Sequence, residues 1–162
     1  KKIKNVLFLS LILILSLSSI YYLRYSSEDS AVFLYFVIAL SISSDIGGYV
    51  FGKIFKWKKL TKISPKKTIS GVFGSYFFSI ICLLIFDKIY SIVDIISINT
   101  ILLTLILSTV AQFGDLTISY FKRLEKIKDT GKILPGHGGI FDRIDGLMFA
   151  IILAALLYYL NT

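Results

Sequence analysis

Long apolar blocks separated by short polar loops dominate this sequence. Five blocks stand out, at about 5–23, 31–51, 71–86, from Thr100 past Phe113, and 144–160. A helix that crosses ~30 Å of hydrocarbon needs roughly 20 apolar residues, and each block is near that length. With 56% hydrophobic residues and a mean hydropathy of +0.79, the chain is more apolar than ordinary soluble domains. The pattern predicts an all-α, polytopic integral membrane protein, with residues 1–162 forming one transmembrane helical domain.

The first block has an alternative interpretation. Residues 5–23 follow the basic run KKIK, as the core of a secretory signal peptide would. This block is long for such a core, however, and no small-residue cleavage motif follows it. We therefore favour a transmembrane helix.

The net charge of +8 is concentrated in alternate loops. Most lysines and arginines lie in KKIK, in a loop at about 52–69 and in a loop at about 119–143. The intervening segments, 24–30 and 87–99, are poor in basic residues and carry acidic ones. Because basic loops are retained in the cytoplasm, the N-terminus and both basic loops are predicted to face it, in a bacterial-type inner membrane. Membrane topology thus explains the charge, and no nucleic acid partner is expected.

Two carboxylates fall inside apolar blocks, near the predicted cytoplasmic face. Asp45 lies in SISSDIGGYVFGK and Asp115 in VAQFGDLTISYFKR. A carboxylate at that depth is costly unless it faces water, a cation or a partner. A structural ion pair or a helix cap would satisfy this requirement. The matching depth of the two acids, next to both basic loops, favours a polar cavity open to the cytoplasm.

A polar stripe extends from Asp115 toward the loop that follows it. Ser119, Lys122 and Lys126 continue from Asp115 at helical spacing. The stripe predicts a helix that runs past the membrane surface and ends at Thr130-Gly131. It would connect an intramembrane acid to exposed lysines.

Residues 133–146, ILPGHGGIFDRIDG, precede the fifth block. Asp142 and Asp145 are three residues apart and would share one face of a helical first turn. They could simply cap that helix. With Asp115 they could instead bind Mg²⁺, which prefers hard oxygen ligands. Gly138 and Gly139 offer backbone N–H groups to an anion, whereas His137 alone is a weak argument for a metal.

The second loop contains SPKKT at 64–68. Its lysines and hydroxyls suit a polyphosphate, but they also suit anionic lipid headgroups. Acids, a divalent cation and phosphate-binding bases at one membrane face together predict phosphoryl or nucleotidyl transfer to a membrane lipid.

The segment from Ser119 to Asp145 resembles, without a gap, the signature of the phosphatidate cytidylyltransferase (CDP-diacylglycerol synthase) family. The matching residues are Ser119, Lys122-Arg123, Lys128-Asp129, Gly131, Pro135, His137-Gly138-Gly139, Asp142-Arg143 and Asp145. The stretches DIGGYVFGK, GDL at 114–116 and SPKKT with Gly71 resemble the same family. Departures are Ser70, where members often have glutamate, and Gly48, where alanine is common. Members usually carry further N-terminal spans, so the chain resembles a C-terminal portion.

The resemblance implies that CTP and phosphatidate give CDP-diacylglycerol and pyrophosphate, with Mg²⁺ and room for a second cation, in a homodimer. Asp115, Asp142 and Asp145 would hold the metal, and Lys122, Arg123 and Arg143 would contact phosphates. The remaining predicted site residues would bind the nucleotide or the lipid phosphate or shape the cavity: Asp45, Ser64, Lys66, Lys67, Thr68, Ser119, His137, Gly138 and Gly139.

Two other functions compete with this interpretation. A CDP-alcohol phosphatidyltransferase would need an Asp-Gly-x-x-Ala-Arg motif, but Asp145-Gly146 is followed by Leu147, Met148 and Phe149. A non-enzymatic ion transporter would spread its acids across the bilayer. Here the deep acids are predicted near one face.

Overall fold

The computed structural model describes residues 2–61, 64, 67–92, 99–127 and 141–161, and within them it contains five helices and no strand. All five helices are long and apolar enough to cross a membrane. The predicted fold class is confirmed, and the chain is an integral membrane protein. The helices are α1 Lys2–Tyr25, α2 Glu28–Phe55, α3 Ile69–Tyr90, α4 Thr100–Leu124 and α5 Phe141–Asn161.

Polar caps set where the helices begin. Ser27 precedes α2 and forms a capping box with Ser30, whose backbone N–H donates to the Ser27 hydroxyl. Thr68 precedes α3 and accepts from the Gly71 N–H at 3.1 Å. Asn99 precedes α4 and accepts from Leu102 N–H at 3.2 Å. Capping satisfies backbone donors that lipid cannot satisfy, so each of these helices can begin at its polar cap.

The end of α4 differs from the sequence prediction. The helix ends at Leu124, and Lys126 adopts a left-handed conformation with φ of 58°. The Ile127 N–H then bonds the Lys122 carbonyl at 3.0 Å, which closes the helix as a Schellman motif does. The predicted continuation to Thr130-Gly131, which lie outside the described residues, is wrong, and Lys126 is not on the helical stripe.

Helix α2 is the centre of the bundle. It packs along α3 and also contacts α1, α4 and α5. The buried core comes mainly from α2, α4 and α5, with smaller contributions from α1 and α3, and includes Phe33, Phe36, Leu40, Leu103, Leu107 and Ile151. Many apolar side chains of α1 remain exposed, as expected for a helix that faces lipid.

Contacts at the helix ends fix the antiparallel arrangement. Asn5 on α1 donates to Glu125, just after α4, at 3.2 Å. At the other end, Ser27 and the Tyr158 hydroxyl of α5 lie 3.0 Å apart. We call the end where α1, α3 and α5 begin and α2 and α4 finish the basic end, because it carries Lys53, Lys67 and Lys122.

Candidate functional site

A cavity of about 400 Å³ lies between the helices at the basic end. Its lining comes from α2, α3, α4, α5 and the segment between α2 and α3, whose described arms, 56–61 and 67–68, form a hairpin in which Lys59 pairs antiparallel with Thr68. The lining residues are Asp45, Gly48, Tyr49, Leu60, Ser64, Lys67, Thr68, Gly71, Val72, Ser75, Gln112, Asp115 and Asp145. Six predicted site residues therefore lie around one cavity: Asp45, Ser64, Lys67, Thr68, Asp115 and Asp145.

Close helix packing brings Asp115 and Asp145 to the same space. Asp115 follows Gly114 and Asp145 precedes Gly146, and both glycines lie at the contact between α4 and α5. A Cβ on Gly114 would lie 2.6 Å from Phe149 Cδ2, and one on Gly146 would lie 2.6 Å from the Ala111 carbonyl oxygen. Because neither position has room for a side chain, the two helices approach closely beside the carboxylates.

The hairpin brings a lysine into the cavity. Its two arms are joined by hydrogen bonds from Leu60 N–H to the Lys67 carbonyl at 2.8 Å and from Ile69 N–H to the Lys58 carbonyl at 3.0 Å. The Lys67 ammonium forms an ion pair with Asp115 Oδ2 and lies 3.4 Å from the Gln112 carbonyl oxygen. This contact joins the hairpin to α4 across the cavity.

Asp115 has a second contact on its own helix. The Ser119 hydroxyl donates to Asp115 Oδ1 at 3.3 Å. Ser119 therefore holds the Asp115 carboxylate on the cavity side of α4, as the predicted stripe requires. It does not itself line the cavity.

Asp145 is the most buried of the cavity acids, with 7% of its surface exposed. Its Oδ2 lies 3.5 Å from the Lys122 ammonium, and its Oδ1 accepts the Gly146 N–H at 2.9 Å. Two carboxylate–lysine contacts, Asp115 with Lys67 and Asp145 with Lys122, thus lie at the cavity, which suits a ligand that combines cation and phosphate.

Thr68 has a structural role beside its place in the cavity. Its hydroxyl accepts the Gly71 N–H at the start of α3 and shares a hydrogen bond of 3.0 Å with Ser70. Ser70, where the resembling family often has glutamate, is buried with 2% of its surface exposed. It therefore supports the cap and takes no place in the cavity lining.

Other predicted residues lie elsewhere or outside the described part. Arg123 is exposed and donates to the Ile127 carbonyl at 3.2 Å, away from the cavity lining. Lys66, His137, Gly138 and Gly139 lie outside the described residues. Asp142 and Arg143 belong to the first turn of α5, but their side chains are not described. The roles assigned to these seven residues stay predictions.

Several lining residues were not predicted as site residues: Gly48, Tyr49, Leu60, Gly71, Val72, Ser75 and Gln112. Helical spacing could have identified two of them, because Tyr49 lies four residues after Asp45 and Gln112 three before Asp115. Leu60 and Ser75 have no comparable signal. Their positions depend on how the hairpin and α3 pack.

Buried hydroxyls form hydrogen bonds between the helices that line the cavity. Ser44 and Ser108, on α2 and α4, have their oxygens 3.0 Å apart. Ser75 on α3 donates to the Ser44 carbonyl at 2.8 Å, and Gln112 Nε2 lies 3.4 Å from the Ser108 oxygen. This network fixes α2, α3 and α4 relative to one another beside the cavity.

The described carboxylates provide part of a divalent-cation site. Asp115 and Asp145 offer hard oxygens from two adjacent helices, which is the donor chemistry that Mg²⁺ prefers. The part of the chain that the structure describes contains no group of three His, Cys, Asp or Glu residues arranged to hold a metal. The predicted third ligand, Asp142, has no described side chain, so the predicted metal set stays a prediction.

Comparison with known proteins gives a consistent result. The model of the cytidylyltransferase family matches residues 1–161. A phosphatidate cytidylyltransferase of Staphylococcus epidermidis is 38% identical over 137 residues, covering 84% of this chain and 52% of the relative. That of Staphylococcus aureus is 46% identical over 116 residues, covering 70% of this chain and 44% of the relative. The chain spans about half the length of these curated relatives. Since the family model covers nearly all of it, the chain belongs to the cytidylyltransferase family.

Proposed function

We propose that the protein transfers a cytidylyl group from CTP to phosphatidate, giving CDP-diacylglycerol and pyrophosphate. The observation that carries the proposal is the cavity in which Asp45, Asp115 and Asp145 meet Lys67 at one end of a membrane bundle. The names of the similar proteins add the substrate class. A cavity at that position can receive a water-soluble nucleotide and a lipid headgroup together.

The reaction mainly requires that phosphatidate and CTP be held in the correct relative position. A phosphatidate oxygen attacks the α-phosphorus of CTP, a new P–O bond forms, and the bond to the β-phosphate oxygen breaks to release pyrophosphate. The attacking phosphate is already anionic and needs no strong base. The protein must instead hold two polyanions in line and neutralise their repulsion, which preorganised charges do efficiently.

The described residues at the cavity would position the two substrates and neutralise their charge. Lys67 and Lys122, which contact Asp115 and Asp145, would also contact phosphate oxygens at the cavity. Ser64 would donate to a phosphate from the hairpin, and Asp45 would complete the polar wall. Lys66, Arg123, Arg143, His137 and the two loop glycines keep the phosphate-binding roles that the resemblance implies.

Asp115 and Asp145, with Asp142, would hold Mg²⁺. When bound, Mg²⁺ would neutralise phosphate charge and stabilise the charge that develops on the leaving pyrophosphate. A second cation and a homodimer, both implied by the resemblance, stay predictions.

We also propose that the cavity faces the cytoplasm of a bacterial inner membrane. The basic segments lie at the same end of the bundle as the cavity, and positive charge is retained on the cytoplasmic side. CTP is a cytoplasmic metabolite, so this orientation would give the nucleotide direct access.

The proposal is tested with labelled CTP and phosphatidate in membranes that contain the protein. Labelled lipid should form only when phosphatidate and Mg²⁺ are both present. Asp115→Asn and Asp145→Asn should each lower the rate by about a hundredfold or more, because each removes a carboxylate that would hold Mg²⁺ at the reacting phosphates.

Asp87→Asn is the matched control, since Asp87 lies near the end of α3 that is remote from the cavity. It should retain the normal rate. If both cavity variants also make lipid product at the normal rate, the proposed site is wrong. If the unmodified protein makes none, the proposed reaction is wrong.

A further inference from the structure

Four lysines outside the cavity lie together at the cytoplasmic end proposed above. Lys53, Lys56, Lys58 and Lys59 are all exposed, on the last turn of α2 and the first arm of the hairpin. No acidic residue occurs in the sequence between Asp45 and Asp87. The surface around these lysines therefore has a strong positive potential.

Within the described part of the chain, these lysines form no ion pair. Among the described residues, no carboxylate pairs with Lys56, Lys58 or Lys59; the described ion pairs use Lys67 and Lys122. Lys53 lies 5.6 Å from the centre of the Tyr49 ring. Their ammonium groups are thus available to an external anion.

An exposed aromatic cluster accompanies the lysines. The ring of Trp57 lies 6.4 Å from that of Phe55 and 6.0 Å from that of Phe73. The three residues are 54%, 52% and 60% exposed, respectively. Aromatic side chains at the end of a transmembrane helix are typical of the interface between headgroups and acyl chains. We call Lys53, Lys56, Lys58 and Lys59 with Phe55, Trp57 and Phe73 the basic-aromatic surface.

We propose that the basic-aromatic surface binds the anionic headgroups of membrane phospholipids and concentrates them beside the cavity. Its rings would lie at the top of the acyl chains, and its ammonium groups would contact lipid phosphates. Clustered lysines next to a membrane attract anionic lipids in this way. The charge complementarity selects lipid with a net negative charge over zwitterionic lipid.

The surface is continuous with the cavity. Leu60, the residue after the lysine run, lines the cavity, as does Tyr49 beneath Lys53. The opposite arm of the same hairpin carries Lys67, which reaches into the cavity. A lipid phosphate held by the outer lysines would therefore be near Lys67. The inference that this surface supplies anionic substrate to the cavity rests on the proposed function. The inference that it selects anionic lipid does not.

Trp57 is the single tryptophan of the chain and provides a specific probe. The protein is reconstituted in phosphatidylcholine vesicles with a minor fraction of lipid brominated near the headgroup end of its acyl chains. Bromine quenches tryptophan only at close range. Brominated phosphatidate and brominated phosphatidylglycerol should each quench Trp57 about twofold or more strongly than brominated phosphatidylcholine at equal mole fraction.

The variant Lys56→Gln/Lys58→Gln/Lys59→Gln should lose this excess quenching. Arg24→Gln/Lys88→Gln is the control, because it removes exposed charge near the remote end of the bundle and should keep the excess. Salt gives a second measurement without a variant. Raising the salt to about 1 M should reduce the anionic excess, since it shortens the screening length, while phosphatidylcholine quenching stays constant.

Equal quenching by anionic and zwitterionic lipid would overturn the proposal. So would no quenching by any lipid, which would place the surface against protein, for instance a second copy of the chain. The assay contains no CTP and needs no turnover. Selective quenching without lipid product would contradict the proposed function alone, and lipid product without selective quenching would contradict this inference alone.

Discussion

The contact between Lys122 and Asp145 has two separable functions. Both side chains have 11% of their surface exposed, so the pair is largely removed from solvent. Breaking a buried pair leaves an uncompensated charge, whereas replacing both partners with apolar residues is often tolerated. The protein should therefore be stable when both positions are charged or when both are apolar, whereas the proposed reaction requires the two charges.

This separation gives a prediction. Lys122→Met should lower the free energy of unfolding by about 3–5 kcal/mol, because it isolates the Asp145 carboxylate. Lys122→Met/Asp145→Leu should recover stability to within about 1 kcal/mol of the unmodified protein, yet remain inactive. Thermal unfolding in detergent and the labelled-CTP assay measure the two effects. A double variant that is less stable than Lys122→Met would contradict this account of the pair.

Single residues were predictable from sequence where their chemistry conflicted with their surroundings. Asp45 and Asp115 were conspicuous because acids are costly in apolar helices, and both line the cavity. Ser75 and Ser108 were not, because uncharged polar residues are common in membrane helices. Their importance depends on the hydrogen bonds they form across helices, which sequence alone does not give.

At the scale of helices, glycines determine how closely the elements approach. Gly47 and Gly74 face each other between α2 and α3, and a Cβ on either would overlap the carbonyl oxygen of the other. Small residues at such contacts are a common basis of helix association in membranes. The cavity acids are brought together by the same principle, through Gly114 and Gly146.

Two glycines make a matched pair of tests. A Cβ on Gly146 meets the Ala111 backbone oxygen, which cannot move without shifting α4, whereas a Cβ on Gly48 meets the rotatable Ser75 hydroxyl at 2.8 Å. Gly146→Ala should lower stability by about 1–3 kcal/mol. It should also lower the rate about tenfold or more, because Asp145 would move away from Asp115.

Gly48→Ala should change both quantities much less, in keeping with the alanine common at this position in the resembling family. Thermal unfolding and initial rates measured on the two variants decide between these expectations. Equal losses in both would show that helix separation does not explain the effect of Gly146.

The number and order of the helices followed from the apolar blocks, since only helices satisfy the backbone within lipid. The position at which α4 ends could not be predicted from the apolar blocks. A turn at Glu125 and Lys126 closes the helix through backbone bonds that any sequence can form, with no glycine or proline to mark it. The place of the hairpin over the cavity was likewise unpredictable, because it depends on the contact between Lys67 and Asp115.

At the scale of the whole molecule, the two ends of the bundle differ in charge. The basic end carries the hairpin, the end of α4 and the cavity, whereas the α1–α2 turn at the other end is followed by Glu28 and Asp29. Such an asymmetry orients a helical bundle in the membrane. It predicts which residues an impermeant reagent can reach from each side.

The chain allows this orientation to be measured with few changes. Its single cysteine, Cys82, is 6% exposed and can be replaced with serine to give a cysteine-free background. In that background we expect Ser26→Cys, at the α1–α2 turn, to react with an impermeant maleimide on intact spheroplasts. Lys58→Cys, on the hairpin, should react only after the membrane is permeabilised. The reverse pattern would place the cavity outside the cell, away from CTP, and would contradict both the orientation and the reaction proposed for it.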